Sequence, residues 1–141
     1  MYELKKDIID VDIYLSLRSQ VGWKVLSREQ AQKALENSLI TVAAFCDGVP
    51  VGMGRVVGDG AVISYIQDLI VIPSVQGQGI GSTILKELIS YVKNITAEGT
   101  EMMLCLMCAK GREEFYQKHD FIPRPTESLG PGMIQYIKSQ R

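Results

Sequence analysis

Three glycines at alternate positions, Gly77, Gly79 and Gly81, separate an apolar run from a strongly patterned one. The apolar run predicts a strand, and the patterned run predicts a helix. Glycines directly before a helix let its first backbone N–H groups approach an anion, because no Cβ stands in the way. The segment therefore predicts a phosphate-binding turn. The alternative is that the glycines serve only a tight turn and close packing.

The spacing of these glycines decides which phosphate-binding turn they could form. A nucleoside-triphosphate loop needs a lysine after its last glycine, and none follows here. The dinucleotide fingerprint Gly-x-Gly-x-x-Gly also fails, because its third position is Ser82 when counted from Gly77 and Ile84 when counted from Gly79. Neither of these two nucleotide-binding classes fits the chain.

A lone carboxylate lies in the apolar strand before the glycines. Asp68 is the only acidic residue in that segment, and a charge among apolar residues needs a partner or a purpose. Strict alternation places Tyr65, Gln67 and Leu69 on one face of the strand and Asp68 on the other. Asp68 is thus a candidate for catalysis or substrate orientation, and a structural hydrogen bond is the alternative.

The elements that position these residues follow from periodicity and turn signals. Strands are expected at MYELKK, LITVAAFCD, VPVGMGRVVG, AVISYIQDLIVI, TEMMLCLMC and GMIQYIKS. Helices are expected at DVDIYLSLRSQVGW, SREQAQKALENS, residues 80–94 and GREEFYQKHD, with Ser27 as the cap of the second. The order predicts a mixed α/β fold: a mostly antiparallel sheet, with one parallel strand pair bridged by the helix after the glycines.

Length and composition set the class of protein. With 141 residues, we expect a single domain over 1–141. The charges nearly cancel at a net −1, which argues against a general nucleic-acid binder. No stretch has the roughly 20 apolar residues of a membrane span, and the first ten residues lack a signal-peptide core. A cytoplasmic protein without a membrane partner is expected.

The cysteines and the one histidine offer little to a metal. Cys46, Cys105 and Cys108 are odd in number and lie in or beside apolar runs, as free thiols of a reducing compartment do. Cys105 and Cys108 match Cys-x-x-Cys, but the pair falls in a predicted strand rather than at a helix start. We therefore expect no metal site, with a redox or metal role for the pair as the minor alternative.

Two motifs together resemble a known family. Gln76, Gly79 and Gly81 form Gln-x-x-Gly-x-Gly after LIVIPSV, which resembles the pyrophosphate-binding signature of the GNAT superfamily of acyl-CoA-dependent N-acyltransferases. Downstream, EEFYQKHDF (Glu113 to Phe121) resembles the Phe-Tyr-x-Lys-x-Gly-Phe segment of that family. The resemblance extends from about Ile40 onward and implies the GNAT N-acetyltransferase fold, with a splayed parallel strand pair.

The resemblance also implies a donor and its binding residues. Acetyl-CoA is the implied acyl donor, and the backbone at Leu69 and Val71 would contact its thioester and pantetheine. The pyrophosphate would lie on the turn and the helix start, formed by Gln76, Gly77, Gln78, Gly79, Ile80, Gly81 and Ser82. The implied activity is transfer of the acetyl group to a primary amine of a small molecule by direct attack.

Catalytic roles are implied less completely. Tyr116 matches the position of the family's general acid toward the CoA thiolate, although an ordinary core tyrosine is the alternative. Family members place Glu or His at positions matching Tyr65 or Gln67; this chain has neither, which leaves Asp68 or a water chain to handle the amine proton. Tyr65 and Gln67 are expected to line the substrate side. Trp23 is expected to form an aromatic wall there, and an ordinary packed indole is the alternative.

Two departures from the family pattern and three questions stay open. Asp120 replaces a glycine and Ala109 replaces an asparagine of the family pattern. The acceptor could be a small amine, an arylalkylamine, an amino sugar or a protein amine. A sensor that binds acyl-CoA without turnover is the alternative to an enzyme, and a homodimer through the last strands is plausible by resemblance.

Overall fold

The computed structural model describes residues 2–141, which form two compact units. The first unit extends to Leu106, and the second runs from Met107 to Arg141. The first unit contains five strands and three α-helices among the described residues. Its elements are β1 (Tyr2–Lys6), α1 (Val11–Gln20), α2 (Arg28–Glu36), β2 (Ile40–Cys46), β3 (Val49–Gly58), β4 (Ile63–Val71), α3 (Ile80–Ile95) and β5 (Met103–Leu106).

The five strands form one mixed sheet in the order β1-β2-β3-β4-β5. The first four pair antiparallel with their neighbours, and β4 pairs parallel with β5. A parallel pair cannot be joined by a hairpin, so α3 provides the crossover between β4 and β5. The predicted fold class is confirmed, including the parallel pair bridged by the helix after the glycines.

The core lies on both faces of the sheet. On one face α3 packs against β2, β3 and β4. Burying side chains of this kind contributes about 1.5–3 kcal/mol each. The buried residues of α3 recur at the helical spacing seen in the sequence: Ile80, Ile84, Leu85, Leu88 and Val92. The close approach needs Gly54 in β3, because a Cβ there would stand 2.8 Å from Leu88 Cδ1 and 3.1 Å from Ile84 Cγ2.

On the opposite face the sheet is covered by α1 and α2. Their buried residues and those of the sheet form one cluster, Val11, Tyr14, Leu17, Ala31, Met53 and Ile70. Both helices begin at a side-chain cap. The Asp10 side chain accepts a hydrogen bond from the backbone N–H of Ile13 at 2.8 Å, and Ser27 accepts from Gln30 at 3.0 Å. The cap predicted at Ser27 is confirmed.

A β-bulge interrupts the pairing of β3 with β4. Met53 opposes Ile70 and Arg55 opposes Gln67, so β4 takes three steps where β3 takes two. Within those three steps Asp68 has a left-handed backbone, with φ at 57°. An extra residue of this kind turns the following side chains to the other face of the sheet.

The bulge makes the predicted alternation wrong at Asp68. Residues directly opposed in an antiparallel pair share a face, so Gln67 lies on the face of Arg55. Asp68 lies on this face too, since its carboxylate is bonded by Arg55 and by Tyr14 of α1. Asp68 therefore shares a face with Gln67, whereas Leu69 points to α3, its Cδ1 lying beside Gly54.

The second unit contains one short helix, α4 (Glu113–Gln117). Residues 121–141 hold no helix or strand, so the strand predicted at GMIQYIKS is wrong. The segment has the alternation of a strand, but an extended chain becomes a strand only when a neighbour completes its hydrogen-bond ladder. No such ladder forms over residues 132–139.

Among the described residues, no helix combines the length and the apolar composition needed to cross a bilayer.

Candidate functional site

The glycine segment forms the start of α3. After β4 ends, a short 3-10 helix (Pro73–Val75) leads into the glycine turn. Gly79, the residue before the first helical residue of α3, has a left-handed φ of 84°. Gly77 is also left-handed, with φ at 82°. A Cβ built on either glycine would meet nothing within 4 Å, so the space above the turn is open. The glycines therefore serve the backbone conformation of the turn and leave its surface clear.

The helix start differs from those of α1 and α2 because no side chain caps it. The first N–H groups of a helix lack intrahelical partners, and that end carries a partial positive charge. No acidic residue lies in the first turn of α3 to offset this charge. The longest helix of the described chain, with 16 residues, thus presents an uncompensated positive end at an open turn.

Two side chains tie the turn to its surroundings. The Gln76 amide Nε2 donates to the carbonyl oxygen of Val71 at 2.8 Å, which links the turn back to the end of β4. The Thr83 hydroxyl lies 2.9 Å from the carbonyl oxygen of Gly79 and 2.8 Å from the Tyr2 hydroxyl. Gln76 therefore contributes to the shape of the turn through β4, the strand that leads into it.

The other part of the candidate site is the edge of β4. The ladder with β5 covers four residues of β4, from Ile63 to Ile66, and ends where Ile66 opposes Leu106. From Gln67 to Val71 the strand continues, paired with β3 but with no β5 partner. The parallel pair expected from the sequence is therefore present, and its ladder ends at Ile66. Leu69 and Val71, expected to contact the donor, lie in this stretch.

A buried ionic cluster holds Asp68. The Asp68 side chain is 0% exposed, and its two carboxylate oxygens are both occupied. Oδ1 accepts from Arg18 Nη1 at 2.7 Å, whereas Oδ2 accepts from Arg55 Nε at 2.7 Å and from the Tyr14 hydroxyl at 2.5 Å. The two arginine side chains are only 11% and 12% exposed, so the charges meet away from water.

Tyr14 serves this cluster as a neutral donor. Burial, and then the hydrogen bond to Asp68, raise the pKa of Tyr14 to about 12. A phenol with so high a pKa keeps its proton at every physiological pH, so it donates to the carboxylate. The cluster therefore contains two guanidinium charges and one carboxylate charge.

The arginines extend the cluster to the ends of both covering helices. Arg18 Nη2 donates to the carbonyl oxygen of Lys24 at 2.9 Å, in the loop after α1. Arg55 Nη1 lies 3.4 Å from the carbonyl oxygen of Ala34 and 3.3 Å from the Ser38 hydroxyl, at the end of α2. Among the described residues, the buried Nε of Arg18 has no hydrogen-bond partner.

Two of the three residues expected on the substrate side, Trp23 and Gln67, lie next to this cluster. The Trp23 ring centroid is 5.5 Å from the Arg18 guanidinium carbon, and the residue is 38% exposed. Gln67 opposes Arg55, and Tyr65 is a half-buried residue two positions earlier on β4. The structure thus brings Trp23, Gln67 and Asp68 to the face covered by α1 and α2.

Tyr116 lies in the second unit, on α4. Its ring packs edge-on against Phe115 and Phe121, at centroid distances of 5.0 and 5.9 Å. The backbone N–H of Phe121 donates to the Tyr116 carbonyl oxygen at 3.2 Å. Asp120 has φ at 69°, the left-handed conformation that the glycine of the family pattern would take. The turn after α4 therefore forms with aspartate in place of glycine.

The environments of the cysteine thiols differ from those of redox-active thiols. Burial raises the pKa of Cys105, and burial together with Glu113 raises the pKa of Cys108. Redox-active thiols have lowered pKa values instead. Within residues 2–141, no three side chains of histidine, cysteine, aspartate or glutamate are grouped to hold a metal ion.

The sequence reasoning missed Tyr14, Arg18 and Arg55. A usable signal was present, since Arg55 and Asp68 are the only charged residues of two adjacent apolar strands. Opposite charges in neighbouring strands of one meander favour a cross-strand pair. Tyr14 and Arg18, one helical turn apart on α1, then supply the remaining donors.

Comparisons with known proteins agree with this geometry. Residues 36–123 match the family model described as an acetyltransferase (GNAT) domain. Among solved structures, a probable acetyltransferase of unknown function from meticillin-resistant Staphylococcus aureus is 36% identical, with a TM-score of 0.84, over 99% of this chain and 100% of that one. A GNAT-family acetyltransferase from Streptococcus pneumoniae is 32% identical, with a TM-score of 0.82 and the same coverage.

Curated relatives are longer than this chain. An uncharacterized N-acetyltransferase of Prochlorococcus marinus is 31% identical over 124 residues, which are 84% of this chain and 64% of that protein. The chloroplastic serotonin N-acetyltransferase 2 of Oryza sativa subsp. japonica is 30% identical over 89 residues, 60% of this chain and 44% of that protein. The chain thus spans under two thirds of the length of both relatives.

Replacing Asp68 with Asn should destabilise the fold strongly, because two buried guanidinium groups then lose their counter-charge. We expect Asp68→Asn to lower the free energy of unfolding by about 3–5 kcal/mol, measured by urea unfolding with circular dichroism. Asp12→Asn is the matched control, since Asp12 forms an equally short 2.7 Å pair with Arg28 in which both side chains are more than half exposed. Its unfolding midpoint should change little. Equal midpoints for the two variants would contradict the role given to burial.

Proposed function

The chain belongs to the GNAT acetyltransferase family, and we propose that it transfers the acetyl group of acetyl-CoA to a primary amine of a small molecule. The observation that carries the proposal is the uncapped start of α3, reached through a short turn from the stretch of β4 that has no β5 partner. A helix start binds phosphate, and an open strand edge binds an extended chain. Acetyl-CoA has both parts in that order.

The donor substrate would lie along these two features. Backbone N–H groups at the turn and in the first turn of α3 would bind the pyrophosphate, over Gln76 to Ser82. The edge of β4 at Leu69 and Val71, which has no β5 partner, would bind the pantetheine arm and the thioester carbonyl. An N–H group at that edge would stabilise the negative charge that develops on the carbonyl oxygen during attack.

The chemistry needs two proton transfers. The amine nitrogen attacks the thioester carbon and loses a proton, and the carbon–sulfur bond breaks to release a thiolate. We assign Tyr116 as the acid that protonates the thiolate, on its match to the family pattern. Both oxygens of Asp68 already accept hydrogen bonds from Arg18, Arg55 and Tyr14, which supports water as the acceptor of the amine proton and an orienting role for Asp68.

The acceptor side would be the face covered by α1 and α2. Trp23 is 38% exposed and Val25 is 88% exposed, so the loop between the helices offers an apolar surface. The similarity to a serotonin N-acetyltransferase of rice supports including arylalkylamines among the candidates. Tyr65 and Gln67 are proposed to contact the acceptor from β4.

A second function is favoured by one observation. Neither Glu nor His stands at Tyr65 or Gln67, and the one carboxylate of β4 is fully engaged with donors. A protein that binds acyl-CoA without turning it over, as a sensor, would need no base at these positions.

An amine panel separates the two functions. The full chain is mixed with acetyl-CoA and with tryptamine, tyramine, spermidine, glucosamine 6-phosphate or a lysine peptide, and free thiol release is followed with a chromogenic disulfide. Turnover on at least one amine, above the rate with no amine, is the expected result. Saturable acetyl-CoA binding by calorimetry, with no thiol release on any amine, would favour the sensor.

Tyr116→Phe tests the acid on whichever amine is turned over. Removing the hydroxyl should lower kcat by about 100-fold or more, because a positioned general acid contributes that much. The acetyl-CoA dissociation constant should change little, since the ring is retained. Tyr136→Phe, which removes the hydroxyl of an exposed tyrosine, is the matched control. An unchanged kcat in Tyr116→Phe would remove the acid role from this residue.

A further inference from the structure

We propose that Asp68, with Arg18, Arg55 and Tyr14, is a positioning device for the bulge of β4. It fixes the backbone that meets the donor thioester and links that backbone to the loop carrying Trp23. The inference rests on the proposed function, because it concerns the stretch of β4 expected to hold acetyl-CoA. It assigns to Arg18, Arg55 and Tyr14 an effect on the reaction that works through Asp68.

The first support is the backbone conformation of Asp68. A residue other than glycine with φ at 57° in the interior of a strand is disfavoured, and it persists only where its surroundings fix it. Here three donors fix the side chain of that same residue, from α1 and from β3. The hydrogen bonds therefore hold the bulge through the carboxylate.

The second support is the place where the cluster lies. The last β4–β5 pair is Ile66 with Leu106, and Asp68 follows two residues later. Beyond this pair β4 has lost one of its two ladders, and its remaining ladder with β3 shifts register. A strand held on one edge needs another restraint to keep a defined position, and the only buried ionic cluster of the described chain is attached at this point.

The third support is the direction of the remaining contacts. Arg18 reaches the carbonyl oxygen of Lys24 and lies under the Trp23 ring. A ligand that moves the loop between α1 and α2 therefore moves a group bonded directly to Asp68. The expected consequence is that acceptor binding and the position of the thioester are coupled through one carboxylate.

Nuclear magnetic resonance of backbone amides tests this without knowledge of the acceptor. Spectra of the ¹⁵N-labelled full chain are recorded with and without saturating acetyl-CoA, for the wild type, Asp68→Asn, Tyr14→Phe and the control Asp12→Asn. Two sets of amides are compared: the bulge set, Leu69 to Val71, and the turn set, Gly77 to Gly81. In the wild type and the control, both sets should shift on acetyl-CoA addition.

The variants of the cluster should separate the two sets. In Asp68→Asn the amides of the turn set should still shift when acetyl-CoA is added. The amides of the bulge set should lose most of their shift, and their resonances should broaden. Tyr14→Phe removes one of the three donors while leaving the charges intact, so it should show the same separation to a smaller degree. Where Asp68→Asn does not fold, Tyr14→Phe alone decides.

With an amine from the panel, kcat should fall by about 100-fold in Asp68→Asn and by about tenfold in Tyr14→Phe, as expected when reacting groups are misplaced by an ångström or less.

Two results would overturn the inference in distinguishable ways. Variants that lose stability but keep both responses and the wild-type kcat would show a structural cluster with no positioning effect. A wild type in which neither set responds to acetyl-CoA would remove the proposed function, and the inference would fall with it.

Discussion

The buried carboxylate of Asp68 offsets the positive charge of two largely buried arginines, on the face of the sheet that α1 and α2 cover. Asp68 accepts hydrogen bonds from α1 and β3, and its arginine partners continue to the loop after α1 and to the end of α2. Removing that one negative charge leaves two guanidinium groups buried together, which is far more costly than losing an exposed pair. The placement of both covering helices on the sheet therefore depends on a residue in the interior of β4.

The proposed donor site also depends on the stretch of β4 that lies beyond its ladder with β5. A strand without a neighbour on one edge has backbone groups with no ladder partner there, and such an edge can pair with an extended chain. Here the edge leads directly to an open turn, and the helix that follows has neither a side-chain cap nor an acidic residue in its first turn. By contrast, α1 and α2 begin with Asp10 and Ser27 as caps. Among the described residues of the first unit, α3 is the one α-helix without a side-chain cap, and it follows this edge.

Local patterns predicted most of the elements, because their signals lie within a few residues. The period of Ile80, Ile84 and Leu88 fixed α3 as a helix packed by one face, and Asp47-Gly48 predicted the β2–β3 hairpin, whose two turn residues both have positive φ. The predicted GMIQYIKS strand failed for a physical reason. A strand exists only with a ladder partner, and the apolar alternation of a segment does not say whether one is available.

In the candidate site, the glycine turn was predictable from the sequence, whereas the cluster around Asp68 was predictable only in part. The spacing of Gln76, Gly79 and Gly81 is a local signal, so the turn could be found from the sequence. The bulge at Asp68 was not, because period-two alternation assumes one residue per step and a single inserted residue reverses every face after it. The contacts of Asp68 with Tyr14 and Arg18 join residues 54 and 50 positions apart, and no short-range pattern encodes them.

Hydrogen exchange with acetyl-CoA tests most directly whether the open edge of β4 and the start of α3 form one donor site. Backbone amides over residues 69–83 are compared by mass spectrometry with and without the ligand, using the full chain. Slower exchange in both parts, the end of β4 and the turn with the first turn of α3, is the predicted result. Binding that leaves exchange over these residues unchanged, or slows it only elsewhere in the chain, would contradict the proposed site.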